Sequence, residues 1–183
     1  MIFRSKGYSL KFIQRQPCRD GSAHLFTLIY KFHSPVTGYH YILRAEYHKE
    51  HVFALKFYAQ KDSKSDYKYS QIVNKGDVFN ILITCLKVVP IILTDYPDVS
   101  FGFIGARTID RASNRVENYD NTQRFRIYTS IVEGTIGFAT FAHFTYQEIS
   151  GYLLINLKQG NSEMKEQILI NMFMNTYPGL LNI

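Results

Sequence analysis

The sequence predicts an α+β fold, with a largely antiparallel sheet of about seven strands, a central buried helix and two further helices. Three observations carry this. One apolar run, residues 78–96, is too long for a strand and too uniformly apolar for a surface helix. The aromatic residues, 14 Tyr and 14 Phe without a Trp, gather in segments that alternate apolar with polar, the period of a half-buried strand. Helical spacing returns at residues 122–133 and 162–177.

Taken in order, residues 8–16 set Tyr8, Leu10 and Phe12 against Ser9, Lys11, Gln14 and Arg15, a strand with one wet face, and residues 17–22 are turn chemistry. Residues 24–33 put Phe26, Leu28, Tyr30 and Phe32 on one face. Ser34-Pro35 and Gly38 turn the chain, and Tyr39, Tyr41, Leu43, Ala45 and Tyr47 form the next alternating face. A polar hairpin tip, His48-Lys49-Glu50-His51, leads into Phe53, Leu55 and Phe57 and completes a four-stranded meander. Residues 61–70 are charged and polar, which predicts an exposed, mobile loop.

The central run is predicted to start at Asp77, whose carboxylate can accept from first-turn amides, and to stop at Tyr96-Pro97. Its apolar residues lie nearly all round, so the helix is expected to be covered on every side. Asn80, Lys87 and Pro90 interrupt it, against the ~20 apolar residues of a membrane span, and no membrane association is expected. Pro90 has no N–H for the carbonyl of Leu86, so the helix should break between Lys87 and Pro90 and release Lys87 to solvent, or a polar group should cap Leu86.

Residues 99–104 read as a short buried strand and residues 106–122 as an exposed loop. In the next helix Phe125, Tyr128 and Val132 share one face, and Gly134 and Gly137 end it. Residues 138–146 and 151–158 form a hairpin. The last helix offers Met164, Ile168 and Met172 beside Leu169 and Phe173, and ends at Pro178-Gly179. No repeat or linker divides residues 1–183, so one domain is expected, its helices on one face of the sheet.

Composition is globular, 46% hydrophobic and 20% charged. The net charge of +6 is lopsided: residues 1–75 hold 13 Lys/Arg against 5 Asp/Glu, and residues 76–183 hold 8 against 10. A basic N-terminal half points to nucleic acid or an acidic protein as partner. Cys18 in a turn and Cys85 in the apolar helix read as free thiols of a reducing compartment, and no signal-like segment opens the chain, so a cytoplasmic location is expected.

Phosphate-loop spacing is absent, and Gly102-Phe103-Ile104-Gly105, lying in an apolar strand, reads as close backbone packing. His48 and His51 are too few ligands for a structural metal, and neither metal nor cofactor is expected. The pattern closest to chemistry is Gln123-Arg124-Phe125-Arg126-Ile127-Tyr128. Arg124 and Tyr128 share a helix face near an N-terminus that favours anions, while Arg126 points elsewhere. The structural alternative is an Arg that pairs with Asp77, Asp95, Asp110 or Glu133 and holds the preceding loop down.

Tyr96-Pro97 after an apolar helix, followed by a short strand, a polar loop and the Arg124-x-Arg126-x-Tyr128 helix, resembles a set of small bacterial proteins of unknown function, over about residues 39–177. That resemblance implies neither activity nor ligand.

The leading expectation is a non-enzymatic binding module that contacts nucleic acid or an acidic protein. Lys56, Lys61, Lys64, Lys68 and Lys75 would supply charge, Tyr67 and Tyr69 stacking, and Arg124 and Arg126 phosphate contacts. The alternative is a metal-independent ribonuclease of toxin type, with His143 as acid or base and Arg124, Arg126 and Tyr128 around the phosphate. It requires His143 to lie beside Arg124.

Overall fold

A computed structural model describes residues 7–71, 76–110 and 113–179. The aromatic alternation builds β1 (Lys11–Pro17), β2 (His24–Ser34), β3 (Tyr39–His48) and β4 (Val52–Ala59), followed by α1 (Val78–Leu86) and α2 (Val88–Asp95). Next come β5 (Ser100–Ile104), a small ribbon of β6 (Ile109–Asp110) and β7 (Arg115–Val116), α3 (Gln123–Thr135), β8 (Phe141–Tyr146), β9 (Gly151–Asn156) and α4 (Ser162–Thr176). Seven strands form one sheet in the order β1-β2-β3-β4-β5-β9-β8, antiparallel except where β5 joins β4. A parallel pair needs a crossover, and the α1–α2 span supplies it.

Register decides what each face carries. Tyr30, Leu43 and Phe57 stand in one cross-strand row, and Phe53, Phe101 and Leu154 in another. These residues belong to the main core, with α1, α2 and α3 on top. The alternate residues, Val52, Leu153 and Ile155, form a second cluster with Leu169 and Phe173 of α4. The helices therefore do not share one face: α4 covers the opposite side. Its fully buried residue is Leu169, whereas Met164 and Ile168, expected inside, are 66% and 40% exposed.

Phe79 and Ile91, 50% and 45% exposed, show that the central helical span is not covered all round. By length and composition its 18 residues, Val78–Asp95, could cross a membrane; half of them are buried within the fold. Asp77 does not cap it through its side chain. The buried carboxylate instead accepts from Tyr8 Oη at 2.8 Å, Asn80 Nδ2 at 2.8 Å and Ser34 Oγ, which ties the N-terminal segment and the end of β2 to the start of α1.

The helical ladder is interrupted at Lys87, and α2 starts at Val88, so Pro90 falls in a first turn, where its missing N–H costs little. Lys87 does not simply leave for solvent. Half-buried, it donates from Nζ to the Tyr8 carbonyl at 3.3 Å.

The two parallel strands differ in length. β5 pairs with Val52, Phe53, Ala54 and Leu55 and ends at Ile104, but β4 runs on to Ala59. Beyond Leu55 the sheet splits at the carboxyl ends of this pair.

Candidate functional site

The start of α3 is docked against the end of β5. Thr122 Oγ1 accepts from Phe125 N–H at 3.2 Å and donates to the Gly105 carbonyl at 2.6 Å. Only glycine allows this approach, since a Cβ at Gly105 would stand 2.5 Å from Phe125 N. At Gly102 a Cβ would stand 2.9 Å from Leu153 Cδ2, so both glycines of the pair serve close packing.

Arg124, the second residue of α3, donates to the carbonyls of Tyr69 and, at 2.7 Å, Gln71, and its guanidinium lies 5.3 Å from the centre of the Phe57 ring. Among the described residues no carboxylate comes within 4 Å of it. Burial holds its pKa below the ordinary arginine value, partly offset by Tyr128 and Glu117. Arg124 therefore does hold a loop down, but by carbonyls and not through an acid. Residues 61–70 are correspondingly not a free loop: Ser70 is buried and Tyr69 half-buried.

Arg126 is exposed and donates to the Asn121 carbonyl. Tyr128 is buried against Phe103, ring centres 4.5 Å apart, and burial raises its pKa. His143 is satisfied on both sides, Nδ1 with Tyr152 Oη at 2.7 Å and Nε2 with the Gly137 carbonyl at 2.6 Å. Gly137 lies just beyond the C-terminus of α3, and the helix from Arg124 to Thr135 spans about 16 Å at ~1.5 Å per residue. His143 and Arg124 thus occupy opposite ends of α3.

The His48–His51 hairpin tip is not a pair of solvated imidazoles. His48 is fully buried, Nδ1 on the Glu46 carbonyl at 2.8 Å and Nε2 on Tyr177 Oη at 2.7 Å, and burial lowers its pKa to about 4. His51 sits between Asp98, 2.8 Å from Nε2, and Tyr47 Oη, 2.7 Å from Nδ1. Among the described residues no group of three His, Cys, Asp or Glu side chains could hold a metal, and both cysteines are free.

The basic half of the chain has a definite surface. On the face that carries α4, the strand positions of β1 to β4 that alternate with the main core include Lys11, Lys31, Arg44 and Lys56. Arg44 and Lys56 are directly opposite, as are Lys11 and Lys31. Glu46 is the carboxylate in these strands on this face; it meets Lys56 Nζ at 2.7 Å and Arg44 Nε at 3.3 Å. Burial works against its ionisation, but Lys56, His24 and Arg44 together outweigh it and the net pKa is lowered.

No described helix packs over Lys31, Ile42 and Arg44, which stay half-exposed. Two tyrosines join them. Tyr58 and Tyr69 meet edge to face at 5.4 Å, and Lys68 Nζ lies 4.9 and 5.3 Å from their ring centres.

Of the residues predicted to bind, the structure brings Lys56, Lys68 and Tyr69 to this face. Lys64 and Tyr67 are exposed in the same loop. Lys61 turns the other way, over the Tyr39 ring at 4.9 Å and beside Asp62 at 3.5 Å. Arg124 and Arg126 lie on α3 across the sheet, and Lys75 lies outside the described residues. Sequence reasoning does not single out Lys11, Lys31, Arg44 or Tyr58. A signal exists for Lys31, Arg44 and Tyr58, which alternate with core residues of their own strands, whereas β1 is exposed throughout and gives none for Lys11.

At the split between β4 and β5 a cavity of about 370 Å³ opens beside this face. Gly102 and Leu153 belong to its sheet wall, Phe173, Met174 and Tyr177 come from α4 and the residue after it, and Tyr69, Tyr119 and Tyr146 add rings. Lys56 Nζ stands 4.6 Å above the Tyr177 ring and Arg107 4.4 Å above the Tyr119 ring. Burial raises the Tyr69 pKa to about 12 and pushes up those of Tyr146 and Tyr177. Tyr69, Tyr146 and Tyr177 are neutral phenols against a largely apolar lining.

Comparison of the chain with protein-family models, with curated proteins and with solved structures finds no match.

Proposed function

We propose that the protein is a non-enzymatic module that binds single-stranded nucleic acid across the open half of its sheet. The supporting observation is the combination, on the sheet face that α4 covers only in part, of Lys11, Lys31, Arg44, Lys56 and Lys68 with Tyr58 and Tyr69, against Glu46. Cations along a face follow a phosphate backbone, and half-exposed rings such as Tyr58 and Tyr69 offer stacking to bases irrespective of sequence. A flat sheet face suits splayed bases better than a duplex groove, which takes an inserted helix or ribbon. An acidic protein would satisfy the cations but gives the tyrosines no comparable role.

The test is a filter-binding titration of a labelled single strand over a salt series. With Glu46 offsetting one of the five cations, about four phosphates are neutralised, which predicts a log–log salt slope of about −3. Lys11→Glu with Lys31→Glu should weaken binding at least tenfold. Binding that ignores salt, or no binding, removes nucleic acid and leaves an acidic protein, to be sought by pull-down from the native host.

A further inference from the structure

We infer that the cavity at the split between β4 and β5 is a nucleotide pocket, in which a base lies among the tyrosine rings and its phosphate rests on Arg107 and Lys56. The inference deepens the single-strand reading and rests on it in one respect: Lys56 and Tyr69 belong both to the open face and to the cavity, so a strand on the face can deliver an unstacked nucleotide.

At about 370 Å³ the cavity falls within the range of small-molecule sites, ~300–1,000 Å³, and its lining is mostly apolar with a few polar groups. It lies outside the carboxyl ends of adjacent parallel strands, where the backbone diverges and leaves room without cutting into a packed core.

Shape and charge narrow the ligand. Tyr69, Tyr119, Tyr146, Phe173 and Tyr177 line the space, and an aromatic lining favours a flat ring, whereas an aliphatic chain would be held as well by Leu or Ile. Of the cations, Arg124 is consumed by two carbonyls and Lys56 shares Glu46. Arg107 stacks on Tyr119 and, among the described residues, has no carboxylate within 4 Å. With no carboxylate of the described residues beside it, the Arg107 guanidinium at this largely apolar, aromatic lining calls for an anion, and its planar fork matches a phosphate. Glu148, the acidic lining residue, is exposed and leaves the balance positive.

The source is either a free mononucleotide or a nucleotide within a strand, and calorimetry on the full chain separates them. The titrants are AMP, adenosine, octanoate and an unstructured oligodeoxynucleotide. Two variants accompany them: Arg107→Gln, and Met174→Trp, which fills the cavity from a residue already 43% exposed. Circular dichroism spectra and melting temperatures check their folding.

If the pocket takes free nucleotides, AMP binds, adenosine binds at least tenfold more weakly, Arg107→Gln lowers AMP affinity about tenfold and Met174→Trp abolishes it. If it takes a nucleotide from a strand, AMP is weak but both variants weaken the oligonucleotide. AMP binding without oligonucleotide binding supports the pocket and overturns the sheet-face reading. Oligonucleotide binding indifferent to both variants, with AMP inert, overturns the pocket and leaves the sheet face intact. Octanoate binding more tightly than AMP also overturns it. Should Met174→Trp not fold, Arg107→Gln carries the same decision.

Discussion

Arg124→Met tests whether a buried cation with no counter-ion among the described residues can hold a loop. The guanidinium gives charge-assisted bonds to the Tyr69 and Gln71 carbonyls and covers the Phe57 ring. Removal leaves two carbonyls without their donor, at about 1–3 kcal/mol each. Methionine keeps most of the apolar contact and abolishes the cost of burying a charge, which returns a part of that loss. The expected net destabilisation is about 2–3 kcal/mol. For a chain of 183 residues this lowers the melting temperature by roughly 5–10 °C.

A thermal melt followed by circular dichroism gives the magnitude, and limited trypsinolysis gives the mechanism. Lys61, Lys64 and Lys68 lie in the segment that Arg124 holds, so cleavage there should accelerate well before global unfolding. A melt unchanged within about 1 °C together with an unchanged cleavage pattern would refute the reasoning, because the strap would then be contributing nothing. Arg124→Lys should recover only part of the loss, since one ammonium does not reproduce the two-armed geometry.

Other changes test the same packing. Gly105→Ala forces a methyl to within 2.5 Å of the Phe125 backbone nitrogen, and should cost about 3 kcal/mol, visible as a lower urea midpoint; an unchanged midpoint would mean that the α3 docking is slack. His48, whose folded pKa of about 4 lies below its ordinary 6.5, resists protonation only when folded. Stability should therefore be flat above pH 6.5 and fall by about 3 kcal/mol between pH 6.5 and 4, and His48→Gln should flatten that window in urea titrations. The groups facing it, His24, Glu46, Phe173 and Tyr177, remain in that variant, so the difference between the two proteins isolates His48. Pro90→Ala should change stability by less than about 1 kcal/mol, because the proline sits in the first turn of α2; a large gain would show that it strains the helix.

The sequence by itself determined the meander, the central apolar span, α3, the β8–β9 hairpin and α4, because each rests on a local period: alternation in β2, β3 and β4, and helical spacing around Phe125 and Tyr128. It determined the break near Pro90 as well, since a missing N–H is a property of one residue. Even the Gly102–Gly105 spacing was legible as close packing, although not the partners, Leu153 and Phe125. What only the tertiary structure decided is which distant segments meet. No local pattern says that α4 crosses to the other face, that Arg124 finds the carbonyls of residues 69 and 71, or that Asp77 turns from its own helix to Tyr8 and Ser34. Nor does any period reveal that β4 outruns β5. That mismatch opens the cavity, and it follows from register between two strands more than 40 residues apart, whose pairing is fixed by the core beneath them and by no residue in either strand alone.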